Sequence, residues 1–544
     1  MSAADTIVIN ANVRTMDAAH PGAKALAVKN GRIVALGDTD SIRDLANGAT
    51  RAIDAGGRLV LPGFQDTHIH LQDSGIGFAT GVDLTGAHTL DALQDKLREQ
   101  AAKTADDYWV RGLCFSASHF NASNLTREML DQAVPDRPLF IMANDGHNAA
   151  MNSLGLRELN ITAETPDPAN GTIVRQEGGE PNGFLHEDAI WWALGMTPRP
   201  SEDDYRAGVR WAAAHANRHG LTGVLDAMVD ERHLRVYTDL DNAGELNLRV
   251  ASTCKVFPHE SDVAAAVERL CDLRQRFRSD KVYLHSAKFF IDGVMENGTA
   301  AMLDDYVTGG NAPIMFDVDH LEQLLVAFDA ARFQLHQHTI GDRAVRVALD
   351  GIEAARAANG PWPAFHQLAH IQSIHPDDIP RFRELGAIAN WQPFWAQPED
   401  PDHEVATPLM GPERMRYIYA LKSVIDTGAP YAISSDWFVT TLNPFEIMQV
   451  AVTRQTPEDG PDAPAFFPEE RIDVETVVQG YTNNAAAGAW RGDVTGSLTQ
   501  GKFADLIIVD RDIFNIDAFE LGGTNVLLTM LEGADVHQSE SFDG

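Results

Sequence analysis

The sequence has few cysteines and lacks any long apolar run. Its three cysteines, Cys114, Cys254 and Cys271, are too few and too scattered for a disulfide framework or a thiolate zinc site, and they suit a reducing compartment. No apolar stretch reaches the roughly 18 residues that a membrane span needs. The first residues do not place a basic segment before an apolar one, so no signal peptide is predicted. We therefore expect a cytoplasmic protein.

Basic residues are also scarce. The chain has 43 Lys and Arg against 78 Asp and Glu, which gives a formal net charge of -35. Such a surface repels nucleic acid and anionic membranes, so neither is expected as a partner. An acidic, solvated surface is enough to explain the net charge, so the charge does not indicate a substrate. The sequence leaves open whether the protein is a monomer or a homodimer.

The two ends of the chain have a sequence pattern typical of short strands and turns. Near the start, Lys29-Asn30-Gly31 stands between alternating apolar residues, which is a hairpin signal. The far end has a similar texture in "GSLTQGKFADLIIVD" and "NVLLTMLEGADVH". We predict one small β-sandwich domain built from residues 1–58 and 489–544. At 544 residues, a large domain beside a smaller one is expected.

The middle of the chain alternates strand-like apolar runs with helical stretches. Eight such runs predict a (β/α)8 TIM barrel over residues 59–488. They lie at 59–67, 221–229, 246–257, 282–293, 333–342, 364–372, 386–393 and 430–437. An open doubly wound sheet is the alternative, but no Gly-x-Gly-x-x-Gly follows an early strand. The long stretch before the second strand is rich in apolar residues and predicts a folded insertion at about 75–200.

Polar side chains stand at the ends of several predicted strands. In "LPGFQDTHIHLQ", His68 and His70 are two residues apart, so they share one face of a strand. The others are Lys288 in the fourth strand, His338 in the fifth, His370 in the sixth and Asp436 in the eighth. The C-terminal ends of barrel strands form the catalytic face of this fold. We therefore expect these side chains to converge.

Imidazole and carboxylate ligands suit zinc and its neighbours in the first transition row. A bound metal lowers the pKa of water from about 15.7 to about 7, which makes hydroxide available at neutral pH. Asp436 is suited both to bind metal and to carry the proton from water to a leaving amine. The set predicts metal-assisted hydrolysis.

These residues lie in segments that resemble a known family. "PGFQDTHIH", "KFFIDG", "HTIGDRA", "LAHIQ" and "SSDW" are similar to the amidohydrolase superfamily. The closer resemblance is to its YtcJ-like branch, the third amidohydrolase domain family, which includes N-substituted formamide deformylase. It covers nearly the whole chain, because "DRPLFIMANDGHNAAMNS" and "PNGFLHEDA" in the insertion also match the branch.

The resemblance implies two divalent metals, zinc being the commonest, bridged by a lysine that CO2 has carboxylated. The implied ligands are His68, His70 and Asp436 for one metal, His338 and His370 for the other, and carboxylated Lys288 between them. A mononuclear site with unmodified Lys288 stays open. His336 shares a strand face with His338 and competes as the ligand, although the "HTIGD" context favours His338 and leaves His336 as a neighbour of the site or a packed core histidine.

Three further residues are candidates for contact with a small-molecule substrate. His147, in "NDGHNAA", belongs to the predicted insertion. Trp391 and Trp437 lie near strand ends and are candidate walls of an apolar pocket. All three have an ordinary structural role as the alternative.

The expected reaction is hydrolysis of a carbon–nitrogen bond in a small amide, formamide or related compound. The same site is also suited to an ester, a lactone or a carbamate, because the attacked carbonyl is chemically similar. A mononuclear deaminase and a metal-binding protein without catalysis are further alternatives. Fold class alone does not name the substrate.

Overall fold

A computed structural model describes residues 3–104, 108–117, 119–295, 298–398 and 401–544. The chain divides into two compact units. The first comprises Met1–His70, Ala213–Asp436 and Thr441–Gly544, and the second comprises Leu71–Ala212 and Trp437–Thr440. In the part of the chain that is described, no helix is long and apolar enough to cross a membrane.

The first unit contains an eight-stranded parallel sheet whose strands follow one another in chain order, which confirms the predicted barrel. We number these barrel strands one to eight. They are Phe64–Ile69, Leu221–Val229, Arg249–Lys255, Val282–Phe290, Gln334–Thr339, Gln367–His370, Ile388–Trp391 and Tyr431–Ile433. Nearly all their residues are buried, as the apolar runs predict for a sheet covered on both faces.

The predicted first strand is in fact two strands. Leu59–Pro62 pairs with Asn12–Arg14 and Leu506–Val509 outside the barrel, and the barrel strand itself begins at Phe64. Gly63 lies between the two strands, and a Cβ at that position would lie 2.3 Å from the Thr222 side chain. The apolar run continues through both strands, so the pattern of apolar residues alone does not reveal the break.

Helices separate most of the barrel strands, as predicted. Those after strands two to six are Glu231–Asn242, Val263–Arg276, Val318–Ala330, Asp342–Asn359 and Ile379–Leu385. Three short helices, Pro401–Met410, Pro412–Met415 and Leu421–Ile425, lie between strands seven and eight. After strand eight come Pro444–Thr453, Val474–Gln479 and Ala485–Gly488.

Two further sheets of the first unit form the β-sandwich. One has four strands, in the order Arg32–Gly37, Ala25–Lys29, Thr6–Ile9 and Arg51–Asp54. The other has six, in the order Ala534–Gln538, Val526–Leu531, Leu506–Val509, Leu59–Pro62, Asn12–Arg14 and Gly22–Ala23. Their inner faces share one buried cluster that includes Val8, Leu26, Val60, Ile508 and Met530. Both ends of the chain therefore build one core. A short helix, Thr39–Arg43, precedes the last strand of the smaller sheet.

The second unit is the folded insertion. Its six-stranded mixed sheet has the order Gly171–Arg175, Pro181–Glu187, Asn148–Met151, Leu139–Ala143, Val110–Phe115 and Val82–Asp83. The helices are Leu71–Thr80, Leu90–Lys103, Arg127–Ala133, Ser153–Glu158, Asp188–Met196 and most of Glu202–Arg218. A separate core that includes Leu93, Leu97, Leu130, Ile141 and Phe184 stabilises this unit. The domain boundaries at 58 and 489, and the insertion limits of 75 and 200, stay predictions.

Candidate metal centre

The ends of barrel strands one and eight bring two histidines and a carboxylate together. Asp436 Oδ1 lies 3.5 Å from His68 Nε2 and 3.2 Å from His70 Nε2. The imidazole rings of the two histidines are 5.7 Å apart between centroids. His68 and Asp436 are buried, whereas the His70 side chain keeps 16% of its surface exposed. The three predicted residues therefore meet at one point of the barrel.

His370, at the end of strand six, approaches the same carboxylate. Its Nδ1 is 3.8 Å from Asp436 Oδ2 and donates a hydrogen bond of 2.9 Å to Gln392 Oε1. That bond fixes the ring and leaves Nε2 with its lone pair available as a ligand. Donor atoms of His68, His370 and Asp436 all lie within 4.8 Å of one another. This spacing suits three ligands of one ion.

His338 lies beside this group. Its ring centroid is 4.6 Å from that of His370, and its Nδ1 is 3.6 Å from Asp292 Oδ1. The side chain is almost fully buried. The structure thus brings all four predicted histidines together, and His370 contacts both His338 and the carboxylate of Asp436. How the histidines divide between metals stays a prediction.

Lys288 lies in the interior of the barrel with no exposed surface. Its Nζ is 3.4 Å from His68 Nε2 and 5.0 Å from the centroid of the Phe290 ring. Burial lowers the pKa of the Lys288 ammonium group to about 7. An ion pair between Lys288 and Asp292 is the structural alternative, but Asp292 instead accepts hydrogen bonds from the backbone N–H groups of Ala301, Ile340 and Gly341.

The electrostatic environment keeps most of these imidazoles neutral. Burial lowers the pKa values of His68 and His370 well below the usual range, and the neighbouring Lys288 adds to the effect. At His70, burial acts in the same direction, but the hydrogen bond and the charge of Asp436 outweigh it and raise the pKa. Neutral imidazole is the form that binds a metal. The donor set of imidazoles and one carboxylate therefore fits a divalent transition metal.

His336 contacts His68. Its Nε2 is 2.9 Å from His68 Nδ1, and Gln367 Nε2 donates a hydrogen bond of 3.0 Å to its Nδ1. Asn390 Nδ2 in turn donates to Gln367 Oε1 at 2.8 Å. His336 thus lies behind a candidate ligand, at the start of a chain of buried amides. This position matches its interpretation as a neighbour of the site.

Two aspartates beside the site, Asp66 and Asp292, were not predicted from the sequence as part of it. Asp66 accepts hydrogen bonds of 3.0 Å from the backbone N–H groups of His68 and Ser435. Asp292 accepts hydrogen bonds from the backbone N–H groups of Ile340 and Gly341, in the turn that directly follows strand five and its His338. Burial raises the pKa of each carboxyl group to about 7. The available signal was their place in "QDTHIH" and "KFFIDG", because each carboxylate stands two to four residues from a candidate ligand.

The three candidates for substrate contact are placed as follows. His147 belongs to the second unit, and its Nδ1 is 2.8 Å from Glu187 Oε2. Trp437, also in that unit, stacks on Phe78 with 5.5 Å between ring centroids and an interplanar angle of 12°. Trp391 ends strand seven with no exposed surface. Their contact with a substrate stays a prediction.

Comparison with known proteins decides the family. The model of the amidohydrolase family matches residues 51–537, which is most of the chain. The chain belongs to the amidohydrolase family. This amidohydrolase is 29% identical over 543 residues to N-substituted formamide deformylase of Arthrobacter pascens, with 97% of each chain covered. Both findings confirm the family that the sequence motifs indicate.

Other relatives cover the chain as completely. The protein LONG AFTER FAR-RED 3 of Arabidopsis thaliana is 28% identical over 549 residues, which span 98% of this amidohydrolase and 92% of the plant protein. The crystal structure of an uncharacterized metal-dependent hydrolase from Pyrococcus furiosus has a TM-score of 0.74 at 23% identity. It covers 94% of this chain and 100% of the Pyrococcus chain, and it supports the fold.

Proposed function

We propose that this amidohydrolase uses a divalent metal to hydrolyse a carbon–nitrogen bond of a small amide or formamide. The observation that carries the proposal is the cluster of His68, His370 and Asp436, whose donor atoms lie within 4.8 Å of one another. The cluster stands at the C-terminal ends of barrel strands, which is the catalytic face of the fold. The relationship to an N-substituted formamide deformylase supports an amide-type substrate.

The proposed mechanism assigns two roles to the side chains of the site, metal binding and proton transfer. In this proposal, the metal would be held by His68, His70, His338, His370 and Asp436. When bound, a divalent metal activates water near neutral pH and stabilises the oxygen of the carbonyl under attack. The Asp436 carboxylate accepts a proton from the attacking water and donates it to the leaving nitrogen. Because the site is buried, hydrogen bonds and charges act there with less screening than in water.

We propose two zinc or similar ions per chain, with a carboxylated Lys288 between them. The support is the burial of Lys288 and the distance of 3.4 Å between its Nζ and His68 Nε2. Carboxylation joins the unprotonated amine to the carbon of CO2 and releases one proton, so the lysine becomes an anionic oxygen ligand. One ion per chain beside an unmodified lysine is the alternative.

The ester, lactone and carbamate alternatives use the same side chains, since only the leaving atom differs. A deaminase would release ammonia and leave every acyl bond intact. We further propose, from the sequence alone, a cytoplasmic location, no nucleic-acid or membrane partner, and either a monomer or a homodimer.

The test combines metal content with a substrate panel. We expect about two ions per chain by elemental mass spectrometry after purification with zinc and bicarbonate, and turnover of N-substituted formamides or simple amides. Matched esters of the same acyl groups identify the preferred leaving atom. Failure to bind metal, or binding without turnover of any amide or formamide in the panel, would overturn the proposed function.

A further inference from the structure

The barrel has a seam between its first and eighth strands. Strand one pairs with strand two, and strand eight pairs with strand seven. Among the residues that the structure describes, no ladder pairing joins strand eight back to strand one. The candidate ligands His68 and Asp436 stand on opposite sides of this seam. Their separation is therefore not set by the hydrogen bonds of the sheet itself.

Asp66 crosses the seam with its carboxylate. Its Oδ1 accepts a hydrogen bond of 3.0 Å from His68 N, and its Oδ2 accepts one of 3.0 Å from Ser435 N. A third bond closes the arrangement, because Asp436 N donates to His68 O at 2.8 Å. Asp66 has 1% of its surface exposed, so water does not compete for these bonds.

The backbone at Asp436 needs such support. Its φ is 58°, in the left-handed region that residues other than glycine rarely adopt. Backbone in this region costs about 1–3 kcal/mol and persists where the surroundings hold it in place. The bond from Asp66 to Ser435 N fixes the peptide that leads directly into this residue.

We propose that Asp66 is a positioning residue that sets the distance between the metal ligands of strands one and eight. It accepts hydrogen bonds from the backbone on both sides of the seam. The inference rests on the proposed function, since it takes His68 and Asp436 as ligands. A carboxylate is required because both of its oxygens accept a hydrogen bond from an N–H group. In asparagine, an amide NH2 group replaces one carboxylate oxygen. That group is a donor, and it would face the backbone N–H group of His68 or Ser435, which is also a donor.

The variant Asp66→Asn tests the role without a change of volume. We expect its affinity for Zn²⁺, measured by competition with a chromophoric chelator, to fall about 10- to 100-fold. The matched control is Asp329→Asn, because Asp329 is equally buried and accepts hydrogen bonds from His366, Trp362 and Asn359, away from the ligands. Asp329→Asn is expected to lower stability and leave the Zn²⁺ affinity within about threefold of wild type.

An unchanged Zn²⁺ affinity in folded Asp66→Asn would overturn the proposal. Should that variant fail to fold, hydrogen–deuterium exchange of the metal-free wild-type protein decides instead. Slow exchange of the amides of His68 and Ser435, which donate to Asp66, supports the role of Asp66. Fast exchange at 434–437 within an otherwise protected barrel contradicts it. A wild-type protein that binds no Zn²⁺ refutes the proposed function. The exchange experiment still tests whether Asp66 holds the backbone on both sides of the seam.

Discussion

At the scale of the residue, the proposed mechanism gives Asp436 two roles, metal ligand and proton carrier, and a substitution separates them. Asparagine keeps one ligand oxygen but does not accept a proton at neutral pH. We expect Asp436→Asn to lower kcat by about 10²- to 10⁴-fold, the usual contribution of general acid–base catalysis. Steady-state kinetics with metal content measured on the same sample checks this. A variant that keeps both its metal and its turnover would remove Asp436 from the mechanism, and Asp329→Asn serves as control.

Lys288 offers a second test at this scale. Removal of the side chain in Lys288→Ala leaves a buried space where a bridging carboxylate is proposed. We expect turnover to fall by about 10²-fold or more, because a metal ligand is lost, and acetate or formate to restore part of it. The measurement is kcat with and without the added carboxylate. Retained activity without rescue would favour a site in which Lys288 is not a ligand.

At the scale of the element, close helix packing sets a limit on side-chain size in the second unit. A Cβ on Gly75, in the helix Leu71–Thr80, would lie 2.4 Å from Gly208 O in the helix Glu202–Arg218. We expect Gly75→Ala to lower the free energy of unfolding by about 1–3 kcal/mol because the helices are forced apart. Chemical denaturation measures it.

The chain offers a matched control for that substitution. Gly195 lies in the helix Asp188–Met196, and a Cβ there meets nothing within 4 Å. Gly195→Ala is expected to be neutral or to stabilise by up to about 1 kcal/mol, since alanine is the better helix former. Equal effects at the two glycines would show that the helix crossing tolerates a methyl group.

The elements themselves were largely predictable from the sequence. Apolar runs and helical periodicity are local, so they place strands such as Leu221–Val229 and helices such as Asp342–Asn359 well. The break at Gly63 was not predictable, because both flanking strands are apolar. The ligand candidates were visible as polar residues at strand ends. The bond between Asp66 and Ser435 was not, since the two residues are 369 positions apart and only the folded barrel brings them together.

At the scale of the whole molecule, we expect metal binding to be coupled to the stability of the barrel, because the candidate ligands come together only in the folded chain. A ligand that binds the native state alone stabilises it by about 2.7 kcal/mol at a hundred times its Kd. We therefore expect removal of metal by a chelator to lower Tm by about 2 °C at this occupancy. Added zinc should raise Tm again with increasing concentration, which differential scanning calorimetry measures. A Tm that does not change with zinc concentration would contradict a metal site in the folded protein.

The β-sandwich described above has a consequence for synthesis on the ribosome. Leu61 pairs with Ile507, so the sheet is completed only after the intervening barrel and insertion have been translated. At about 5–20 residues per second, that interval lasts roughly 20 to 90 seconds. During it, Leu59–Pro62 presents an unpaired edge that is available to other nascent chains. We therefore expect growth temperature and chaperone supply to affect the yield of this protein.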